Sequence, residues 1–210
     1  MLFLENMTRK NHFLFVNTSV VLVCFLFFLS MPLYAKEKPD PMKGKKAPGL
    51  TGKQALGTGL LDLKKMMAEF GYKKDENGKF VEVNHKFVFE VKKNAVVMNF
   101  FATTCIPCIR EIPMYNRIAE QYKGKNVYFI YVNVDTEVSN AEMSRFIARK
   151  QIKVPMMLPN QRDAIKKYQV YALPRMIVVN TKGIITQVIS GFHDDLEEKL
   201  TAYVDDAIKL

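Results

Sequence analysis

A mostly apolar run extends from Val96 to Ala102 and is followed by apolar residues that recur every three or four positions. The run is rich in β-branched and aromatic residues, as buried strands are. The residues that follow at helical spacing are Ile109, Ile112, Ile118, Ala119 and Tyr122. Because this spacing starts within a few residues of the run, the pattern predicts a buried strand that turns directly into an amphipathic helix near residue 105.

The rest of the C-terminal half alternates strand and helix patterns. Ser139, with Glu142 three residues later, forms a capping-box pattern that predicts a helix start. The predicted elements are a strand over Val127–Val134, helices over Ala141–Ile152 and Gln161–Tyr168, a hairpin of Met176–Val179 and Ile184–Ile189, and a closing helix over Asp194–Ile208. This order, βαβα and then ββα, predicts an α/β domain with a mixed central sheet and helices on both faces.

Another patterned region, residues 53–93, precedes the first buried strand. Leu60–Phe70 repeats apolar residues near helical spacing and stops at a glycine, which predicts an amphipathic helix packed against its own domain. Phe80–Val83 and Phe87–Val91 are predicted to form a hairpin, with a solvent-facing His85 in its turn. We therefore predict an N-terminal extension of the domain over residues 53–93.

Two cysteines separated by two residues, Cys105 and Cys108, stand at the predicted strand-to-helix turn. The unpaired amide groups and the positive dipole end at a helix start favour a thiolate, which is the species that attacks disulfides. Cys108 lies about one turn further on, near enough to close a short disulfide with Cys105. The alternative is half of a zinc site, but zinc needs about four ligands, and neither Cys24 nor the three scattered histidines supplies a second pair. The spacing therefore favours a redox pair, with no metal.

Several segments of the chain resemble a known family. Asn99–Cys108, followed by Arg110–Pro113, is similar to the active-site segment of exported thioredoxin-like proteins of the TlpA and ResA type. Ala172–Arg175 matches the position of that family's cis-proline, and Asn180–Gly183 matches the turn after it. The resemblance, which spans about residue 94 to the C-terminus, implies a thioredoxin fold. It also implies a thiol-disulfide oxidoreductase without a cofactor other than its own redox-active disulfide.

Two positions depart from the family pattern. Thr104 stands where the family usually has tryptophan, and Leu173 precedes the proline where a smaller or β-branched residue is commoner. Both positions border the substrate-docking surface in the family. They therefore leave the identity of the substrate open and do not affect the expected chemistry.

The two cysteines are predicted to have different roles. Cys105 attacks a partner disulfide, and Cys108 then resolves the mixed disulfide. Glu111 lies three residues after Cys108 on the same helical face, where its carboxylate can exchange the proton of Cys108, and the resemblance points to the same residue. Asn99 stands where cytoplasmic thioredoxins carry a buried aspartate, which favours Glu111 as the acid-base group. The alternative for Glu111 is a solvated carboxylate on a helix surface.

Two of the predicted substrate-binding residues lie between the cysteines in the sequence, and the other two are assigned through the family resemblance. They are Ile106, Pro107, Leu173 and Pro174, and Pro174 is expected to be cis and to face the cysteines. His193 could act as a copper ligand together with the cysteine pair, as in copper-delivering relatives of this fold. Because such relatives usually space their cysteines one residue wider, we favour a surface position for His193.

The N-terminus has the pattern of an export signal or a signal anchor, residues 1–35. Two basic residues precede an apolar stretch, residues 13–33, and a small-residue cleavage point follows at Ala35. The uninterrupted apolar core is short for a spanning helix, but the whole stretch is long enough. Cleavage and membrane anchoring therefore both stay open.

A basic segment, residues 36–52, is rich in Lys, Pro and Gly and is predicted to be a linker to a domain over residues 53–210. Its lysines oppose export, because positively charged flanks tend to stay in the cytoplasm. We still predict an extracytoplasmic domain, in the periplasm or on the outer face of the cytoplasmic membrane, because the cleavage pattern and the redox motif agree with it.

These observations predict an exported thiol-disulfide oxidoreductase that reduces disulfides of exported proteins. By resemblance, its targets include oxidised cysteine pairs of apocytochrome c. An oxidising compartment would require a membrane electron donor to return the cysteines to the reduced state. The alternatives are a general disulfide reductase, a peroxide-linked electron carrier and a thioredoxin-fold protein that carries copper to a membrane oxidase.

The composition adds one property. The 210 residues carry 31 Lys and Arg against 21 Asp and Glu, a net charge of +10. Such a balance attracts anionic membranes or acidic partners. No nucleic-acid motif accompanies the charge, so no nucleic-acid partner is predicted.

Overall fold

The computed structural model describes residues 39–136 and 138–209. Its strands are β1 (Thr51–Gln54), β2 (Leu60–Asp62), β3 (Ala68–Tyr72), β4 (Glu82–Val83), β5 (Lys86–Phe87), β6 (Phe89–Lys93), β7 (Ala95–Phe101), β8 (Val127–Asn133), β9 (Met156–Pro159), β10 (Arg175–Val179) and β11 (Ile185–Ser190). Its helices are α1 (Leu63–Met67), α2 (Ile106–Gln121), α3 (Asn140–Lys150), α4 (Gln161–Tyr168) and α5 (Leu196–Lys209).

Seven strands form the central sheet, in the order β11-β10-β7-β8-β9-β1-β2. The pairs β7–β8 and β8–β9 are parallel, and the other neighbours are antiparallel. All seven residues of β7 are buried, and alternate residues pack into cores on opposite faces. Val97 packs with residues of α2 and α5 on one face, and Val96 packs with residues of α1 and α4 on the other. The predicted α/β architecture, a mixed sheet with helices on both faces, is confirmed.

The elements that position the cysteines agree with the predictions to within two residues at each end. They are β7, β8, α3, α4, the β10–β11 hairpin and α5. The capping box is formed as predicted, because the Glu142 amide donates to Ser139 Oγ at 3.2 Å and Glu142 Oε2 accepts from the Ser139 amide at 3.0 Å. The strand β9 was not predicted. It has only four residues, follows Pro155 and ends at Pro159, so its sequence is typical of a loop. Its pairing with β8 and β1 makes it a strand.

The helix predicted over Leu60–Phe70 is wrong in most of its length. Only α1, residues 63–67, is helical, with the Asp62 carboxylate accepting from the Lys64 amide at 2.8 Å. The residues before and after it are extended, because β2 pairs with β1 and β3 pairs with β6. The apolar spacing fits a helix, but long-range strand pairing overrides local helix preference here. The predicted hairpin is confirmed only around its turn, as β4–β5, because Phe89–Val91 belongs to β6 and pairs with β3. His85 in the turn is exposed with φ 60°.

The linker predicted over residues 36–52 is contradicted from Asp40 onward, because this segment packs on the sheet. Met42 and Leu50 are buried in the core of the α1 and α4 face. The Gly44 amide donates to the Ile185 carbonyl at 2.8 Å, and Asp40 pairs with Arg175 at 2.8 Å. The apolar residues are too few and too scattered among lysines to show a periodicity, which is why composition alone suggested a linker.

Leu50→Ala should lower the free energy of unfolding by about 2–5 kcal/mol, because it removes a fully enclosed side chain from a packed core. Leu56→Ala is the matched control, since Leu56 is exposed and its loss should change stability by less than about 0.5 kcal/mol. Urea denaturation of the oxidised protein measures both. Equal stability of the two variants would contradict the packing of this segment and would support its prediction as a linker.

The predicted export signal or anchor, residues 1–35, lies outside the described residues. Within residues 39–136 and 138–209, no helix has the length and apolar character needed to cross a membrane.

Candidate active site

Cys105 is the N-cap residue of α2, as its position in the sequence predicts. Its Sγ accepts a hydrogen bond from the Cys108 amide at 3.3 Å, and Pro107 lies in the first turn, where an amide hydrogen is not needed. Cys105 is half-buried, whereas Cys108 is buried behind it. The two sulfurs form a disulfide with an S–S distance of 2.01 Å. The helix start therefore holds one reachable sulfur and one enclosed sulfur within bonding distance.

The turn before Cys105 is fixed by a residue that the sequence analysis did not single out. The Asp135 carboxylate accepts from the Thr103 amide, at 2.9 Å to Oδ2, and from Asn133 Nδ2 at 2.7 Å. Asp135 follows the end of β8, next to the strand that leads to Cys105. A single aspartate after a strand does not indicate a site residue in one sequence. Asp135 reaches this turn only because β7 and β8 are neighbours and end at the same edge of the sheet.

Glu111 lies one turn after Cys108 on the inner side of α2 and is only 1 % exposed. Asn99 Nδ2 on β7 donates to Glu111 Oε2 at 3.2 Å. Burial raises the pKa of Glu111 from 4.5 to about 7, and the bond from Asn99 lowers this pKa by a smaller amount. The alternative of a solvated carboxylate on the helix surface is therefore wrong. The structure therefore places a buried carboxyl group of raised pKa about one helical turn after the enclosed cysteine.

Tyr131 completes this buried polar cluster and was not predicted as a site residue. Tyr131 on β8 stands beside Asn99 on β7 in the sheet register, so both side chains project toward α2. Burial, and then the charge of Glu111, raise the pKa of Tyr131. Within the described residues, Glu111 Oε1, Asn99 Oδ1 and the Tyr131 hydroxyl have no hydrogen-bond partner. The Tyr131 hydroxyl therefore lies within electrostatic range of Glu111 without a hydrogen bond between them.

Tyr131→Phe should raise the pKa of Glu111, because it removes a buried hydroxyl dipole within electrostatic range of the carboxylate. The Glu111-dependent part of the rate–pH profile should then move to higher pH. Tyr168→Phe is the matched control, because the Tyr168 hydroxyl donates to the Pro48 carbonyl on the opposite face of the sheet. Identical profiles for the two variants would contradict the role of Tyr131.

The second predicted sequence signal, Ala172–Arg175, lies at the same end of the sheet. The Leu173–Pro174 bond is cis, as predicted. Arg175 pairs with Phe100 near the end of β7, which places Pro174 at the edge that carries the cysteines. Arg175 Nε donates to the Tyr168 carbonyl at 3.1 Å, and its Nη1 donates to Ser190 Oγ at 2.9 Å. This buried guanidinium fixes the backbone directly after the proline.

The four predicted substrate-binding residues differ in exposure. Ile106 is 65 % exposed and Pro107 is half-buried, so both reach the surface beside Cys105. Leu173 is half-buried and packs, like Cys105, against the core on the α2 face, whereas Pro174 is buried. Ile106 and Leu173 are therefore the apolar side chains of this group that present surface to a partner.

The structure gives His193 a contact with the backbone. Its Nε2 lies 3.0 Å from the Ser190 carbonyl oxygen, and the side chain is exposed. In the part of the chain that the structure describes, no group of three or more His, Cys, Asp or Glu is placed to hold a metal ion. Copper delivery therefore stays an alternative from the sequence, without a metal site among the described residues.

Comparisons with known proteins agree with this geometry. The AhpC/TSA family matches residues 63–188. Thiol-disulfide oxidoreductase ResA of Bacillus thuringiensis subsp. konkukian is 28% identical over 130 residues, 62% of this chain and 70% of that protein. ResA of Bacillus subtilis is 28% identical over 117 residues, 56% of this chain and 62% of that protein.

A solved structure shows the same fold. The thiol:disulfide interchange protein of the thioredoxin family from Chlorobium tepidum TLS superposes with a TM-score of 0.57 at 19% identity, covering 79% of this chain and 97% of that one. The thioredoxin-like fold and the resemblance to ResA-type proteins are thus confirmed. Because the family match covers more than half of the sequence, the chain belongs to the AhpC/TSA family, as a thioredoxin-like thiol-disulfide oxidoreductase.

Proposed function

We propose that this oxidoreductase works outside the cytoplasm as a reductant of disulfides in exported proteins, such as the oxidised cysteine pair of apocytochrome c. The observation that carries the proposal is the buried Glu111 carboxyl group behind Cys108, with a pKa raised to about 7. A base of this kind serves a thiol that must lose its proton inside the protein before it attacks. The apolar stretch of residues 13–33 supports a location at the membrane.

The reaction begins with the reduced protein. The Cys105 thiolate attacks one sulfur of the substrate disulfide, and the other substrate sulfur leaves as a thiolate that takes a proton from solvent. Glu111, in its carboxylate form, accepts the proton of the Cys108 thiol. The Cys108 thiolate then attacks Cys105 Sγ and releases the second substrate thiolate. The substrate gains two electrons, and the protein retains the Cys105–Cys108 disulfide that the structure contains.

A further reaction must return the protein to its reduced form. The disulfide accepts two electrons, and Glu111 returns a proton to Cys108 when that sulfur leaves as a thiolate. In an oxidising compartment these two electrons have to come from a dedicated donor dithiol, and we propose that this donor lies in the membrane. Ile106 and Leu173 give the donor and the substrate the same apolar surface beside Cys105.

The location is tested with two fusions to the C-terminus of the full chain. One carries a reporter enzyme that is active only outside the cytoplasm, and the other carries a reporter that is active only inside it. We expect activity from the outside reporter alone. Activity from the cytoplasmic reporter would overturn the export claim and the proposed substrates. The thiol chemistry of the purified protein would be unaffected by that result.

A further inference from the structure

The N-terminal extension ends in an antiparallel ribbon of β3 and β6. In its register Phe70 stands opposite Val91, and Tyr72 stands opposite Phe89, so these four side chains share one face. The face is open, since Phe70 is 76 % exposed and Phe89 is 69 % exposed. Two-stranded ribbons depend on the burial of one apolar face, and this face is not buried by the domain.

The adjoining β4–β5 hairpin enlarges the exposed surface. The Tyr72 ring centroid lies 5.9 Å from that of Phe80, 5.5 Å from that of Phe87 and 4.4 Å from that of Phe89. We call this surface the aromatic face, and it consists of Phe70, Tyr72, Phe80, Phe87, Phe89 and Val91. Contiguous apolar surface of this kind on a folded protein marks a docking site.

The opposite face of the ribbon is polar and is turned toward the domain. Glu69 Oε2 accepts from the Tyr128 hydroxyl of β8 at 3.0 Å, and Glu69 and Lys92 line a cleft of about 500 Å³ against the domain. An antiparallel sheet on a soluble domain usually packs its apolar face inward and leaves its polar face to water. The ribbon has the reverse arrangement, so its apolar face is built for an environment other than water.

The charges of the ribbon fit an anionic surface. Both acidic residues of its strands, Glu69 and Glu90, lie on the inner face, while Lys93 lies on the same face as Phe70 and Val91. Lys74 Nζ stands 5.1 Å above the Phe80 ring, at the edge of the aromatic face. Aromatic rings with lysines at their margin are typical of surfaces that enter the headgroup region of a membrane. The net charge of +10 acts in the same direction.

The chain length between the apolar stretch and the domain favours the membrane over other occupants. Only residues 34–38 separate the stretch of residues 13–33 from the first described residue, and five extended residues span at most about 18 Å. If residues 13–33 anchor the protein, the domain therefore stays beside the lipid surface, where docking of the ribbon is intramolecular.

We propose that the aromatic face docks on the surface of an anionic lipid bilayer. This inference rests on the membrane location given in the proposed function and adds a specific contact, through which the ribbon sets the orientation of the domain. The rings of Phe70, Tyr72 and Phe89 enter the headgroup region, and Lys74 and Lys93 lie against lipid phosphates.

The chain contains no tryptophan, so a single introduced tryptophan reports on one position. Full-length Phe89→Trp is mixed with vesicles of phosphatidylglycerol and phosphatidylcholine that carry brominated acyl chains. We expect its emission to shift to the blue and to be quenched by the bromines. Tyr171→Trp is the matched control, because Tyr171 is highly exposed outside the ribbon, and its emission should not respond.

Charge variants in the Phe89→Trp background give a second measurement. Replacing Lys74 and Lys93 with glutamine should remove most of the quenching, whereas replacing Lys166 and Lys167 on α4 should not. Equal quenching at positions 89 and 171, or none at 89, would overturn the proposal. A blue-shifted emission in vesicle-free buffer that strengthens with protein concentration would assign the face to a second copy instead, which also overturns it.

Vesicle flotation separates the two claims. A protein that floats with vesicles but shows no quenching at position 89 retains the anchor and loses the ribbon contact. A protein that does not float contradicts the membrane location of the proposed function and the ribbon contact with it.

Discussion

Cys108→Ser should leave the reduced protein covalently bound to its substrates. Cys105 is half-buried at the helix start, where the adjacent amide groups stabilise its thiolate, and Cys108 is enclosed. Attack on a substrate disulfide therefore proceeds, but the sulfur that resolves the mixed disulfide is missing. Complexes should accumulate on non-reducing gels and disappear with dithiothreitol. Mass spectrometry of the released proteins would identify the substrates.

Cys105→Ser is the matched control for this experiment. It keeps one thiol of the pair and removes the reachable one, so almost no complexes should form. Complexes that accumulate with Cys105→Ser instead would reverse the assignment of the two sulfurs. Their absence from both variants would contradict attack on protein disulfides.

Glu111→Gln should slow the resolving step by roughly a hundredfold or more, the usual contribution of a positioned acid-base group. The wild-type rate of this step should rise with pH and level off above about 7, where Glu111 becomes the carboxylate that accepts the Cys108 proton. In the variant this inflection should vanish, and the rate should follow the ionisation of Cys108 itself. Stopped-flow measurement of attack and resolution separates the steps, and attack by Cys105 should be nearly unchanged.

Glu120→Gln is the matched control, because Glu120 lies on the same helix with its carboxylate largely exposed. It should behave like the wild type in both steps. Equal slowing of attack and resolution by Glu111→Gln would show a structural effect and would contradict proton transfer to this carboxylate.

The same variant has an effect on stability with a defined sign. Because the pKa of Glu111 is raised from 4.5 to about 7 in the folded protein, folding binds this proton more tightly. The unfolded chain loses the proton first as pH rises, so stability falls between about pH 4.5 and 7, by up to roughly 3 kcal/mol. Glu111→Gln should therefore be more stable than the wild type at pH 8 and similar to it at pH 4. Urea denaturation of the oxidised proteins at both values measures this, and an equal difference at both would contradict the raised pKa.

The sequence was informative wherever local pattern and tertiary structure agree. Residues 96–101 of the predicted run are buried on both faces of the sheet, so the strand could be predicted without knowledge of its neighbours. The cysteine spacing, the capping box at Ser139 and the turn after β10 are local signals, and each has its expected structure. The positions of Cys105, Cys108 and Pro174 could be predicted for the same reason.

The remaining features depend on contacts between distant residues. Phe70 has apolar neighbours at helical spacing, yet it is extended because it pairs with Val91. Glu111 could be placed on the right helical face, but its burial depends on the strands beneath it. Tyr131 became part of the site through its register with Asn99, which alternation along a single strand does not reveal.

The ion pair between Asp40 and Arg175 joins residues that are 135 positions apart. A chain that is synthesised N-terminus first contains Asp40 long before β10 and β11, the strands against which the segment around Gly44 packs. The contacts of Asp40 and Gly44 can therefore form only after residues 175–185 have been made, whereas Leu50 already has an earlier partner in Leu63. Contacts of such high sequence separation form slowly. The segment around Asp40 and Gly44 is therefore expected to be among the last parts of the domain to fold.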